Sequence, residues 1–195
     1  MPVYHSTSKK ILIKKIQNME LENKVLSKEI LYTLYETGET IGTAESCTSG
    51  RIAEVLTSVP GASAYYKGGT ICYSDEAKTN VLGIDADLIA EKNAVSEEVA
   101  IEMVKGACRI FKSNYAIAST GFAGPGADAG IPVGTIWLAC GTPDDIRTMK
   151  LEGDEGREEN LKNATHKALQ FFVQFLKEIH PDPTDMDSVP KPEAK

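Results

Sequence analysis

Three short runs of small, β-branched and aromatic residues, Thr40 to Ser46, Lys67 to Ser74 and Tyr115 to Ser119, are separated by segments whose apolar residues recur at helical spacing. That alternation restricts the fold more than any other feature, because neighbouring parallel strands need crossover connections long enough to hold a helix. The predicted helices run from about Ser49 to Ser58, before Pro60 and Gly61, from Asp75 to about Leu82, and from Ser96 to Phe111. An earlier helix carries Leu21, Val25, Leu26, Ile30 and Leu34 and stops at Gly38, a C-cap residue; a last one runs from about Glu158 to Glu178. After a loop from Gly121 to Pro132 with four glycines and two prolines, Val133 to Cys140 and Ile146 to Leu151 read as a hairpin joined by Thr142, Pro143, Asp144 and Asp145. The expected fold is a three-layer α/β/α sandwich around a mixed, mostly parallel sheet with one hairpin.

A chain of 195 residues holds one domain with tails rather than two domains. Residues 1–20 read as a locally basic extension, 21–178 as the domain, and 179–195 as a disordered tail, since four of the nine prolines lie from Pro181 onward. Lys and Arg total 21 against 28 Asp and Glu, a net charge of −7, which argues against a nucleic-acid partner. No run approaches the roughly 20 apolar residues of a membrane span, and the first residues lack a signal peptide's apolar block. A cytoplasmic protein is expected. Cys47, Cys72, Cys108 and Cys140 match neither a zinc nor a redox spacing, so they are read as reduced core residues, and neither metal nor cofactor is expected.

In open α/β sheets, ligands sit beyond the carboxyl ends of the strands. Here those ends carry Ser46, Tyr73 and Thr120, which parallel neighbouring strands would gather around one crevice. Thr48, two residues past Ser46, is a candidate substrate contact on that crevice; alternatively Thr48 or Ser49 merely N-caps the next helix. Lys78 lies five residues after Tyr73, near enough to the helix start to point toward the same crevice, or else into solvent. Gly121 and Gly124 belong to a loop that suits an oxyanion or phosphate cradle, or a plain wide turn. Arg157 could present a planar fork to an anion.

Six blocks, TAESCTSG (43–50), VPGAS (59–63), GGTICYSDEAK (68–78), AVS (94–96), TGFAGPG (120–126) and PVGTIWLA (132–139), together resemble the CinA C-terminal domain family, the nicotinamide-nucleotide amidases. The resemblance spans about residues 21 to 177 in unbroken order and implies metal-free hydrolysis of the carboxamide of nicotinamide mononucleotide, usually by a homodimer. It places the family's serine on Ser46, its tyrosine and lysine on Tyr73 and Lys78, and its substrate-side residues on Ser63, Thr120 with the following glycines, and Arg157. Three departures stand out: SCTSG where SCTGG is usual, GDEGR where GDR is usual, and Asn93 where glycine often precedes AVS.

The mechanism implied has Ser46 attacking the amide carbon, Lys78 as base and Tyr73 relaying a proton, with direct attack by water as the alternative. Backbone amides at the Cys47 turn or the Gly121 to Gly124 loop would hold the oxyanion, and Arg157 or a helix N-terminus the phosphate. A rival of another class is a non-catalytic nucleotide-binding regulator linked to competence or DNA damage. An unrelated acyl hydrolase of the β-lactamase kind lacks its Ser-x-x-Lys spacing.

Overall fold

A computed structural model describes residues 4–126 and 130–181, with side chains from residue 17 onward. Most of the proline-rich tail (182–195) and residues 127–129 of the glycine loop lie outside the described residues. Helix α1 (Tyr4–Thr37) leads into strand β1 (Ile41–Glu45), helix α2 (Arg51–Thr57), a 3₁₀ turn (Ala62–Ala64) and strand β2 (Tyr66–Ile71). Helices α3 (Asp75–Leu82), α4 (Ala86–Lys92) and α5 (Glu97–Phe111) precede strands β3 (Tyr115–Gly121), β4 (Ile136–Gly141) and β5 (Ile146–Leu151), and helix α6 (Arg157–Ile179) follows.

The strand order is β2-β1-β3-β4-β5. β1 pairs in parallel with β2 and with β3, whereas β4 is antiparallel to both β3 and β5, so four strands share one direction and β4 alone opposes them. Helices pack on both faces, as expected. On one side α1, α2 and α6 bury Ile30, Ile52, Leu56, Leu169 and Phe172 against Ile41, Ile117 and Leu138. On the other, α5 sets Val99, Met103 and Val104 against Ala44, Ala116, Ala118 and Ala139, with Leu82, Ile84 and Ile89 alongside. Alanines on that face of the sheet let α5 lie close over it. A Cβ on Gly121 would stand 2.6 Å from Ile136 Cγ1 and 2.7 Å from the Thr135 carbonyl, so only glycine fits where β3 meets the start of β4.

The elements differ from the sequence reading in three places. The basic extension and the first predicted helix are one continuous helix. Its buried stripe runs through Leu26, Ser27, Ile30 and Leu34, while Leu21 and Val25 are exposed. Leu21 precedes Ile30 by nine residues, about half a turn out of phase at 3.6 residues per turn, so it faces away from the core. Finally, helix α4 has no counterpart in the sequence reading; Asp85 caps it by accepting from the Asp87 amide at 2.9 Å, a signal that its short length of seven residues obscures.

Candidate active site

Because β2, β1 and β3 are parallel neighbours, their carboxyl ends open on one edge of the sheet, and a cavity of about 640 Å³ lies there. Its wall includes Ser46, Cys47, Tyr73, Asp75, Lys78, Thr120, the segment 121–126, residues 89–95 and Arg157. Of the sequence candidates, Ser46, Tyr73, Lys78, Thr120, Gly121, Gly124 and Arg157 therefore meet at one place. Thr48 and Ser63 do not line it: Thr48 is fully buried behind the Ser46 turn, and Ser63 is exposed on the 3₁₀ turn.

Ser46 is the first residue past β1, and its amide donates to the Ser119 carbonyl of β3 at 2.9 Å, so the turn continues the sheet's own hydrogen bonding. Ser74 caps α3 by accepting from the Ala77 amide at 3.1 Å, which puts Lys78 in the first turn and a half. Side chains on a helix lean toward its N-terminus. Lys78 accordingly reaches back to the β1 turn, with Nζ 3.5 Å from Ser46 Oγ and 3.8 Å from Asp75 Oδ1. Both members of the hydroxyl–amine pair are buried, Ser46 at 7% exposure and Lys78 at 2%. A lysine so enclosed is rare unless paired.

Cys47 is buried beside them. Burial, reinforced by the Glu45 charge, pushes its thiol up from 9.0 to about 12, so it stays protonated at neutral pH. Its backbone amide donates to no carbonyl among the described residues, nor do those of Ala123 and Gly124 across the cavity. The Thr120 hydroxyl donates to the Ala94 carbonyl at 2.7 Å and ties the α4–α5 connection to β3. Asn93, in that connection, has φ 72°, a backbone conformation that favours glycine, and its side chain compensates by accepting from the Val95 amide at 2.8 Å. Ser49, the other departure from glycine, likewise has φ 55°.

The start of α6 forms the remaining wall. Arg157 Nη1 donates to the Gly124 carbonyl at 2.7 Å and Nη2 to the Tyr73 hydroxyl at 3.4 Å, bridging the glycine loop and the end of β2. Asn160, buried, donates to the Ala123 carbonyl at 3.0 Å and to Asp154 at 2.9 Å, and accepts from the Glu155 amide at 3.0 Å. Sequence reasoning missed Asn160 and Glu45. Glu45 left a trace, a charged residue at the end of a run that otherwise reads as a buried strand, whereas Asn160 stands among polar neighbours and left none. The N-cap of α2 is Gly50 with no side-chain cap, so neither Thr48 nor Ser49 caps the helix; the Glu45 carboxylate takes that place. Among the described residues no three His, Cys, Asp or Glu side chains are grouped to hold a metal ion, and no helix is long and apolar enough to cross a membrane.

Together, a doubly covered α/β sheet and a hydroxyl–amine pair at the strand ends define the class: an α/β/α domain with a polar small-molecule cavity at its carboxyl edge. Residues 23–176 match the model of the CinA C-terminal domain, and the chain belongs to that family. It is 42% identical over 156 residues to a CinA-like protein of Flavobacterium psychrophilum, covering 80% of this chain and 37% of that one, so it spans about a third of that longer relative. It is 39% identical over 154 residues to the nicotinamide-nucleotide amidohydrolase PncC of Escherichia coli K12, covering 77% of this chain and 93% of that enzyme. The crystal structure of a competence-damaged protein (CinA) superfamily member from Klebsiella pneumoniae 700603 superposes with a TM-score of 0.77 at 33% identity, over 80% of this chain and 98% of that one.

Proposed function

We propose that this protein is a cytoplasmic, homodimeric amidohydrolase that converts nicotinamide mononucleotide to nicotinate mononucleotide and ammonia. The observation that carries the reading is the buried Ser46–Lys78 pair, 3.5 Å apart on the wall of a cavity large enough for a mononucleotide, in a chain 39% identical to a nicotinamide-nucleotide amidohydrolase. In its amine form Lys78 takes the Ser46 proton as Oγ attacks the carboxamide carbon, and the resulting ammonium gives that proton to the departing nitrogen, releasing ammonia and leaving an ester on Ser46. Water then attacks the ester carbon, Lys78 takes its proton, and return of that proton to Ser46 Oγ frees the nicotinate product. The amides of Cys47 and of the Ala123–Gly124 segment, which meet no carbonyl among the described residues, support oxyanion binding, an effect of roughly 3 to 4 kcal/mol per donor in comparable sites. Tyr73 bonds to Arg157 rather than to Ser46 or Lys78, so we assign these two to the phosphate side of the substrate and the proton transfers to Lys78.

The test is ammonia release from purified protein given nicotinamide mononucleotide, with product identified chromatographically and Ser46→Ala and Lys78→Ala as controls. Turnover by the wild type, with kcat lower by several orders of magnitude in both variants, is expected. Binding of the nucleotide without ammonia release would overturn the reading in favour of a regulatory binder.

A further inference from the structure

Directly before the serine stands a carboxylate with no solvent exposure: Glu45, the last residue of β1. Among the described residues no lysine, arginine or histidine pairs with it. A buried anion without a counter-charge is tolerated only where hydrogen bonds replace its hydration. Glu45 has four donors. Oε2 accepts from the Thr48 hydroxyl at 2.6 Å and from the amides of Gly50 at 2.9 Å and Ile52 at 3.2 Å, and Oε1 accepts from the Ala53 amide at 2.9 Å. The side chain thus folds over the turn that contains Ser46 and anchors both its middle and its far end.

A second line of bonds runs to β3. Thr48 Oγ1 lies 2.6 Å from Ser119 Oγ as well as from Glu45. The threonine has one hydroxyl proton and gives it to the carboxylate, so Ser119 donates to Thr48. The Ser119 carbonyl in turn holds the Ser46 amide. Ser46 therefore presents its hydroxyl to Lys78 from a turn fixed at residues 45, 48, 50, 52 and 53 on one side and at residue 119 on the other.

We propose that Glu45 is a positioning residue, which through the Thr48 hydroxyl and the amides of residues 50, 52 and 53 holds the Ser46 hydroxyl at its station opposite Lys78. The reaction it serves is the one proposed above, but the geometry it controls is independent of the substrate. A carboxylate is required rather than an amide. In Glu45→Gln one side-chain atom becomes an NH₂ donor facing amide or hydroxyl donors, so at least one of the four bonds becomes a repulsion and the turn loosens. Misplacement of a reacting group by about 1 Å can cost roughly a hundredfold in rate.

Two readouts test this in the full-length protein. The first is kcat and KM for Glu45→Gln and for Thr48→Val, which keeps the shape of the side chain and removes only its hydroxyl. Val173→Ala, a core change on α6 remote from the cavity, serves as a stability control whose kcat should equal the wild type. Positioning predicts that turnover slows by about 10- to 100-fold in Glu45→Gln and by less in Thr48→Val, while KM stays within about threefold in each. The second readout is the rate at which phenylmethylsulfonyl fluoride modifies Ser46, followed by intact mass, which needs no substrate. It should drop in parallel. Slowed modification in the variants of a protein that releases no ammonia would sustain the positioning role while the amidase reading fails. A variant that melts earlier yet keeps the wild-type kcat and modification rate would overturn the positioning role, and should Glu45→Gln not fold, the same comparison on Thr48→Val decides it.

Discussion

Two potential nucleophiles stand side by side on the cavity wall, and alkylation separates them. Cys47 is 4% exposed, and burial moves its thiol from 9.0 to about 12. At pH 8 a thiol at 9.0 is about one-tenth thiolate and one at 12 about one ten-thousandth, so Cys47 should react with iodoacetamide roughly a thousand times more slowly than a peptide cysteine. The Glu45 carboxylate works in the same direction, because it repels a developing thiolate. The assay follows residual ammonia release with time in iodoacetamide while mass spectrometry scores the Cys47 peptide, with a small cysteine peptide in the same tube as the clock. Activity should persist long after the peptide is consumed. Loss of activity in step with Cys47 modification, at the peptide's own rate, would refute the assignment of the thiol as inert.

Two further outcomes follow from residues on α6. Arg157→Ala should raise KM for the phosphorylated substrate by about 10- to 100-fold with kcat nearly unchanged, and should erase most of the preference over nicotinamide riboside; a retained preference would move the phosphate to the loop at 121–126. His166, buried between α6 and α1 with Nδ1 2.7 Å from Asn23 Oδ1, has its basicity lowered first by burial and further by Lys167, against an opposing pull from Glu22. A histidine whose folded-state pKa is depressed adds stability above its unfolded value of about 6.5 and loses it as pH falls from there through the folded value. Melting in denaturant should therefore show a drop in stability below pH 6.5 that shrinks in His166→Gln, and equal pH dependence in both proteins would count against the argument.

Most of the framework was legible because it is local. Strand β5 and helix α3 fall at the predicted residues, and the other strands and α2, α5 and α6 within a few positions, because turn residues bracket each run. The gathering of Ser46, Tyr73 and Thr120 follows from strand direction alone. What could not be read depends on partners far apart in the chain. Asn160 meets Ala123 across 37 residues and Thr48 meets Ser119 across 71, and no spacing rule anticipates either. The covered face of α1 escapes the sequence for a related reason: periodicity reveals which apolar residues share a stripe, but only the packing of α6 and α2 against the helix decides which stripe is covered.

The reversed strand β4 has a practical outcome for anyone handling this protein. Its first residue, Ile136, lies beside Gly121 at the cavity edge of the sheet, and its last, Gly141, lies beside Ala116 at the opposite edge. The connection through Thr142 to Asp145 therefore emerges a full strand length from the chemistry, as a solvent-facing turn held by the Thr142 hydroxyl accepting from the amides of Asp144 and Asp145. Both chain segments that build the cavity wall around this hairpin, the glycine loop before β4 and the Arg157 turn after β5, leave from the other side. A fluorophore, an affinity peptide or a surface tether grafted between Pro143 and Asp144 would thus report on or immobilise the protein with its cavity facing outward and unobstructed.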